Sequence, residues 1–298
     1  VSKRRQMFLV IIFLVGGGVG YRLWWEKATG YHDEVTRGVE CQDFSPSYSP
    51  DGKSLAFCRF RKLYISDARG GNAHRVVGPQ GFESSPSWSP DGKRIAYIST
   101  VSGNYDVWVC NTDGSNSRNL TRSRVTHATP VWAPDGKSIV CTRVTDNTSC
   151  LVRIDLRNSR TTVLNPDDHF ARSPSWSPDG KKIAFTSSRS GDREIWVMDA
   201  DGRNAHQLTD HPGHFDDSPA WSPDGKYIVF SCEKDGSRDL WLIPSTGGEP
   251  WAITRDKDGF NSTPSFHPSG KQVIYSRNTG TQCILKVAKV SIPNSAAR

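Results

Sequence analysis

Two short segments carry the residue types of a metal or acid–base centre. His211-Pro212-Gly213-His214-Phe215-Asp216-Asp217 sets two imidazoles and two carboxylates within seven residues, and Asp167-Asp168-His169 adds three more such groups. Imidazole with carboxylate suits a divalent ion, yet neither segment has an established zinc spacing such as HExxH, and a hydrated surface cluster is the competing reading. Motifs for other chemistries are missing. The chain has no GxSxG nucleophile elbow, no GxxxxGK[ST] phosphate loop and no GxGxxG opening a helix, so hydrolytic, NTP-binding and dinucleotide-binding classes have no motif to rest on.

The elements that would position these groups are set by an internal repeat. SPSYSPDGK at Ser45 returns as SPSWSPDGK at Ser85, TPVWAPDGK at Thr129, SPSWSPDGK at Ser173, SPAWSPDGK at Ser218 and TPSFHPSGK at Thr263. Its first prolines, Pro46, Pro86, Pro130, Pro174, Pro219 and Pro264, lie 40 to 45 residues apart. In the fourth copy, Ser177-Pro178-Asp179-Gly180 has the residues of a type I turn, and alternating apolar runs follow it. Four strands per unit of this length predict a propeller blade. The expected fold is an all-β, six-bladed propeller with four-stranded blades. The sixth repeat lacks a fourth strand, so Glu34-Val35-Thr36 is expected to supply it and close the ring. Trp88, Trp132, Trp176 and Trp221 recur once per unit and read as packing between blades, while Asp51, Asp91, Asp135, Asp179 and Asp224 read as hairpin residues rather than metal ligands.

Departures from the repeat are the better guide to a site, because the fold does not demand them. Three positions before the first prolines stand Asp43, Glu83, His127, Ala171, Asp216 and Asn261, followed in two units by Arg172 and Asp217. On the connectors between blades these residues are expected to ring the channel mouth. Asp43, Glu83, His127, Arg172, Phe215, Asp216, Asp217 and Asn261 are therefore the candidate partner-binding residues, against the plainer reading of a hydrated rim. As surface positions, Asp216 and Asp217 are expected to tolerate alanine within about 0.5 kcal/mol. The aromatics one place earlier, Phe82, Phe170, Phe215 and Phe260, read as wedges between connectors or as ligand platforms. No cofactor is required by the pattern, although calcium or another divalent cation would suit an acidic rim.

The repeated phrase and its spacing resemble the PD40, or WD40-like, repeats of the TolB β-propeller family, over about residues 33–290. The resemblance implies a non-catalytic exported scaffold. Its channel-mouth face would bind an envelope protein or peptide, as the family's propeller engages peptidoglycan-associated lipoprotein and extended peptide segments. The α/β domain that precedes the propeller in TolB is expected to be missing, which counts against a role in the Tol system itself. The rival reading is a propeller hydrolase or lyase acting on a lactone or glycan through converging Asp, Glu and His, and a glycan-binding module is a third.

The ends and the charge fit export. Lys3-Arg4-Arg5 precedes an apolar run from Met7 to Val19 and the aromatic pair Trp24-Trp25, so residues 1–30 read as a signal peptide or, uncleaved, as an inner-membrane anchor through residues 7–25. Residues 31–293 form the propeller, expected to be monomeric and periplasmic or otherwise extracytoplasmic, and 294–298 a tail. The net charge of +7 is concentrated in that leader, leaving 33 basic and 30 acidic residues without a basic aromatic stripe, so no nucleic-acid partner is expected. Of seven cysteines, Cys58, Cys110 and Cys141 read as buried apolar residues, and Cys41 with Cys283 as a disulfide that locks the closing strand, with free thiols as the alternative.

Overall fold

The computed structural model describes residues 43–78, 80–145, 148–166, 170–234, 236–256 and 259–292. The leader, the proposed closing strand, Cys41, Asp167-Asp168-His169 and the 294–298 tail lie outside them. Among the described residues no helix is long and apolar enough to cross a membrane.

Each repeat begins with a hairpin whose turn is closed by its own side chains. In the fourth, Gly180 N–H donates to Ser177 O at 2.9 Å, while Asp179 Oδ1 accepts from Ser177 Oγ at 2.7 Å and from Lys181 N–H at 3.1 Å. Gly180 has φ +70°, which glycine adopts without steric cost. The second strand, Lys182–Ser187, is buried on both faces from Ile183 onward and pairs with Arg172–Trp176 on one side and Glu194–Asp199 on the other. His206–Gln207 adds a short outer strand.

Four sheets have this four-stranded plan, beginning at Asp43–Tyr48, Glu83–Trp88, Thr126–Trp132 and Arg172–Trp176. The remaining seven strands, from Phe215–Trp221 to Cys283–Lys289, are hydrogen-bonded into one sheet. This corrects the expectation of six four-stranded blades: four are present among the described residues. The physical reason is a parallel pairing of Arg238, which lies in the strand Ser237–Pro244, with Phe260 of the strand Phe260–Phe266. That bond fuses the last two repeats where the preceding seams keep separate sheets.

Every first strand carries a bulge at its Ser/Thr-Pro step, where the register jumps, for instance between Phe44 and Ser47 and between Arg172 and Ser175. The residues before the prolines, Ser45, Ser85, Thr129, Ser173, Ser218 and Thr263, all have φ between 46° and 55°. With the prolines they line a central cavity of about 440 Å³, to which the turn prolines Pro50, Pro223 and Pro268 also contribute. Hydroxyls on the second strands tie neighbouring repeats together here. Ser173 N–H donates to Thr142 Oγ1 at 3.2 Å and Ser218 N–H to Thr186 Oγ1 at 3.2 Å.

The apolar core lies between successive sheets. Ala56, Leu63 and Ile65 of the first repeat meet Ile95, Tyr97 and Cys110 of the second. Tyr48, Leu55 and Phe57 meet Ile274 of the last repeat, and Ser45 N–H donates to Ser276 Oγ at 3.0 Å, so the array closes on itself. Cys58, Cys110 and Cys141 are buried as expected, and burial pushes the Cys110 thiol up to about 12.

Candidate functional site

The connectors do more than cross between sheets. Glu83 N–H donates to Arg61 O at 2.9 Å, His127 N–H to Tyr105 O at 2.8 Å, Ala171 N–H to Ser149 O at 3.0 Å and Asp216 N–H to Arg193 O at 2.8 Å. Each bond straps the entry of a first strand to the entry of the third strand of the preceding repeat. The strap draws the following side chains into the seam. Glu83, His127, Asp216 and Asn261 are all at most 3% exposed, so the expected solvent-facing ring is instead a set of buried stitches. None of the eight predicted site residues lines the central cavity.

The stitches find different partners, and that of Asp43 is the residue opposite it on the second strand. Asp43 accepts from Arg59 at 2.7 and 2.9 Å. Asn261 Nδ2 donates to Asp256 Oδ2 at 3.0 Å and to Thr254 Oγ1 at 3.1 Å. Burial pushes the Glu83 carboxyl up to about 7, against the charges of Lys62 and Arg75. His127, also buried, falls to about 4 in spite of the attraction of Asp106. Glu83 is thus largely protonated below pH 7, and His127 stays neutral at and above mildly acidic pH.

Arg172 and Asp217 meet in an ion cluster. The Asp217 carboxylate lies 3.1 Å from Arg172 Nη2 and 3.5 Å from Arg193 Nη1, and accepts from Ser218 N–H at 2.7 Å and Thr186 Oγ1 at 3.0 Å. Burial would raise its pKa, but the guanidinium charges of Arg172, Arg193 and Arg238 outweigh that and hold it below the usual range. Here too the side chains are largely enclosed, at 14% exposure for Arg172 and 17% for Asp217. The expectation that Asp216 and Asp217 are surface positions is therefore not met.

Beside exposed charges such as Arg122, Arg124, Asp210 and Arg255, the connectors expose aromatic rings. Phe82, Phe170 and Phe215 are 50%, 54% and 38% exposed, and Phe60 on a neighbouring loop is 52% exposed. Guanidinium groups lie over three of the connector rings, Arg61 over Phe82 at 5.1 Å, Arg193 over Phe215 at 4.6 Å and Arg238 over Phe260 at 5.6 Å. Phe215 was among the predicted residues, while Arg61, Arg193 and Arg238 were missed. The available signal was an Arg 21 or 22 residues before each of Phe82, Phe215 and Phe260.

A second unrecognised pattern supports the connectors from below. Thr121 Oγ1 donates to Asp106 Oδ1 at 2.6 Å, Thr209 Oγ1 to Glu194 Oε2 at 2.5 Å and Thr254 Oγ1 to Asp239 Oδ1 at 2.7 Å. The same carboxylates catch connector backbone, as His211 N–H to Glu194 Oε1 at 2.9 Å and Asp256 N–H to Asp239 Oδ1 at 3.0 Å. The acid always precedes the threonine by fifteen positions.

One connector departs from the others. His211 Nδ1 lies 2.9 Å from Asp216 Oδ2, and that hydrogen bond raises the imidazole pKa against the effect of its burial. Asp216 pairs in register with Cys232, and burial followed by the Asp216 charge raises the thiol pKa. Glu194 lies beside them, its pKa raised by burial.

Comparison with protein families matches residues 26–169 and 104–297 to PD40, the TolB beta propeller domain. No curated protein matches the chain. Among solved structures, a protein assigned as TolB from Agrobacterium tumefaciens superposes with TM-score 0.68 at 21% identity, over 85% of this chain and 92% of that one. TolB from Acinetobacter baumannii gives TM-score 0.68 at 24% identity over 81% of this chain, which spans 59% of that protein. An oligogalacturonate lyase in complex with manganese gives 0.61 at 16% identity, over 87% and 91%. Similarity at these identities concerns the fold, which TolB proteins and a lyase share here.

Proposed function

Since this chain belongs to the PD40 TolB beta propeller family, we propose that it is a non-catalytic, extracytoplasmic scaffold that takes an extended segment of an envelope protein or peptide on its connector face. The observation carrying this reading is the recurrence of exposed rings on the connectors, Phe82, Phe170 and Phe215, two of them under the guanidinium groups of Arg61 and Arg193. Exposed rings in fixed positions offer apolar area at little further entropic cost, and aromatic and arginine side chains dominate protein-recognition energetics. The cations over the rings favour a partner with carboxylates beside apolar side chains.

Binding of fluorescent peptides to the full chain tests the reading. A peptide alternating Glu with Phe or Leu should bind, its Lys-substituted counterpart should not, and the Phe82→Ser/Phe170→Ser/Phe215→Ser variant should lose at least about tenfold, the loss of 1.4 kcal/mol. Equal affinity of variant and parent overturns the assignment of this face. Turnover of an oligogalacturonate, abolished by substitutions on the same face, would replace the scaffold reading with a lyase.

A further inference from the structure

The connector between the fourth and fifth repeats is built unlike its counterparts. Where the second strands of other repeats place Arg59, Ser99, Arg143, Ser187 and Arg277, this seam has Cys232. The turn opposite brings His211 and His214 together, with His214 N–H donating to His211 O at 2.9 Å and ring centroids 6.0 Å apart. One nitrogen of each imidazole and the Cys232 sulfur lie within 4.8 Å of one another. Asp216 faces Cys232 across the strand pair. Its side chain is completely buried: Oδ2 is taken by His211 Nδ1 at 2.9 Å, while Oδ1 meets no N–H or O–H donor and has only the Cys232 thiol beside it. A buried carboxylate oxygen so weakly satisfied is costly unless a cation meets it.

We infer that His211, His214, Cys232 and Asp216 form a site for a transition-metal dication, zinc in the first place, that fastens this connector to the second strand of the fifth repeat. Two imidazoles, one sulfur and one carboxylate are the mixed N, S and O donors that zinc accepts in four-coordinate sites, and the soft sulfur disfavours calcium or magnesium. Tetrahedral zinc with ordinary bond lengths separates its ligand atoms by roughly 3.3–3.8 Å. The three atoms, now within 4.8 Å of one another, must therefore converge by about 1.5 Å at most, and the half-buried His214, on a turn with exposed Pro212 and Gly213, has room to do so. Glu194, already engaged by Thr209 and the His211 backbone, adds negative charge beside the site. This inference stands independently of what the connector face binds.

The test uses zinc and cobalt as probes of the purified full chain. After zinc loading and exhaustive dialysis, elemental analysis should find about one zinc per chain, and His211→Ala and His214→Gln should each abolish stoichiometric retention. His74→Ala and His206→Ala, at exposed positions, should leave it intact. Cobalt should give a thiolate charge-transfer band that disappears in Cys232→Ser. Near-ultraviolet circular dichroism identifies any variant that fails to fold, and His214→Gln, on an exposed turn, keeps the test valid if Cys232→Ser does fail. Substoichiometric zinc in the parent, or retention unchanged in the two connector histidine variants, overturns the site.

Discussion

Thr121 Oγ1 sits 2.6 Å from Asp106 Oδ1, joining the segment just after the last strand of the second repeat to the first residue of its third strand. Asp106 is 1% exposed and also accepts from Asn119 Nδ2 and Ser102 Oγ at 2.8 and 2.7 Å. Burial would raise its pKa, yet these hydrogen bonds hold it below the ordinary value. Its stabilising contribution is therefore present above the unfolded-state carboxylate range and is lost as acid titrates the folded form. Asp106→Ala should cost about 2–3 kcal/mol and Thr121→Ala about 1–2 kcal/mol in urea unfolding. The double variant should cost less than the sum, because each single change already breaks the bond.

Glu83 and His127 should give opposite pH slopes. Glu83, raised to about 7, is protonated in the folded chain while its unfolded form ionises, so its contribution to stability falls as pH rises from about 4.5 to 7. His127, lowered to about 4, stays neutral when folded while the unfolded imidazole takes a proton, so its contribution rises between pH 4 and about 6.5. Each amounts to about 3 kcal/mol, and in the parent they offset one another. Glu83→Gln should lose stability on acidification across this window, and His127→Gln should gain it. Melting temperature measured from pH 4 to 8 decides, and parallel curves for the two variants would contradict the assignment.

Asp217 separates burial from exposure on the connector face. Asp217→Ala removes the counter-charge shared by Arg172 and Arg193 in an enclosed seam and should cost about 3–5 kcal/mol. Phe170→Ser, at 54% exposure, should change stability by no more than about 0.5 kcal/mol. Chemical denaturation of both variants checks the contrast.

Thr142 tests the hydroxyl belt between repeats. Its Oγ1 accepts from Ser173 N–H at 3.2 Å and lies 2.9 Å from Thr129 Oγ1. Thr142→Val keeps the shape, at 1% exposure, and leaves Ser173 N–H without that acceptor, for an expected loss of about 1–3 kcal/mol. Hydrogen exchange at Ser173 should accelerate in the variant.

The repeated turn made the strands legible, since Pro178, Asp179 and Gly180 each have a local conformational or hydrogen-bonding duty that needs no distant partner. The connectors were misread because polarity was taken as exposure. Asp43, Glu83, His127 and Asn261 lie in seams because backbone straps pull them there, and their partners, such as Arg59 for Asp43, stand on another strand. Fusion of the last two repeats turns on the pairing of Arg238 with Phe260, which a repeat phrase common to all seams does not distinguish. The Phe82 and Phe215 rings were visible as a recurrence, but the cations over them come from the preceding repeat, beyond the reach of local patterning.

The prolines in the bulged first strands have a consequence for what can enter the bore. In the four-stranded sheets these strands are the inner edges, the places where a sheet normally offers N–H and C=O groups to a further strand. Pro46, Pro86, Pro130 and Pro174 remove a donor midway along each edge, and the left-handed residue before each breaks the extended path. A polypeptide reaching the lumen therefore finds no template for β-augmentation. Anything held there must be read through hydroxyls and proline rings, and copies of the molecule cannot zip together through their centres.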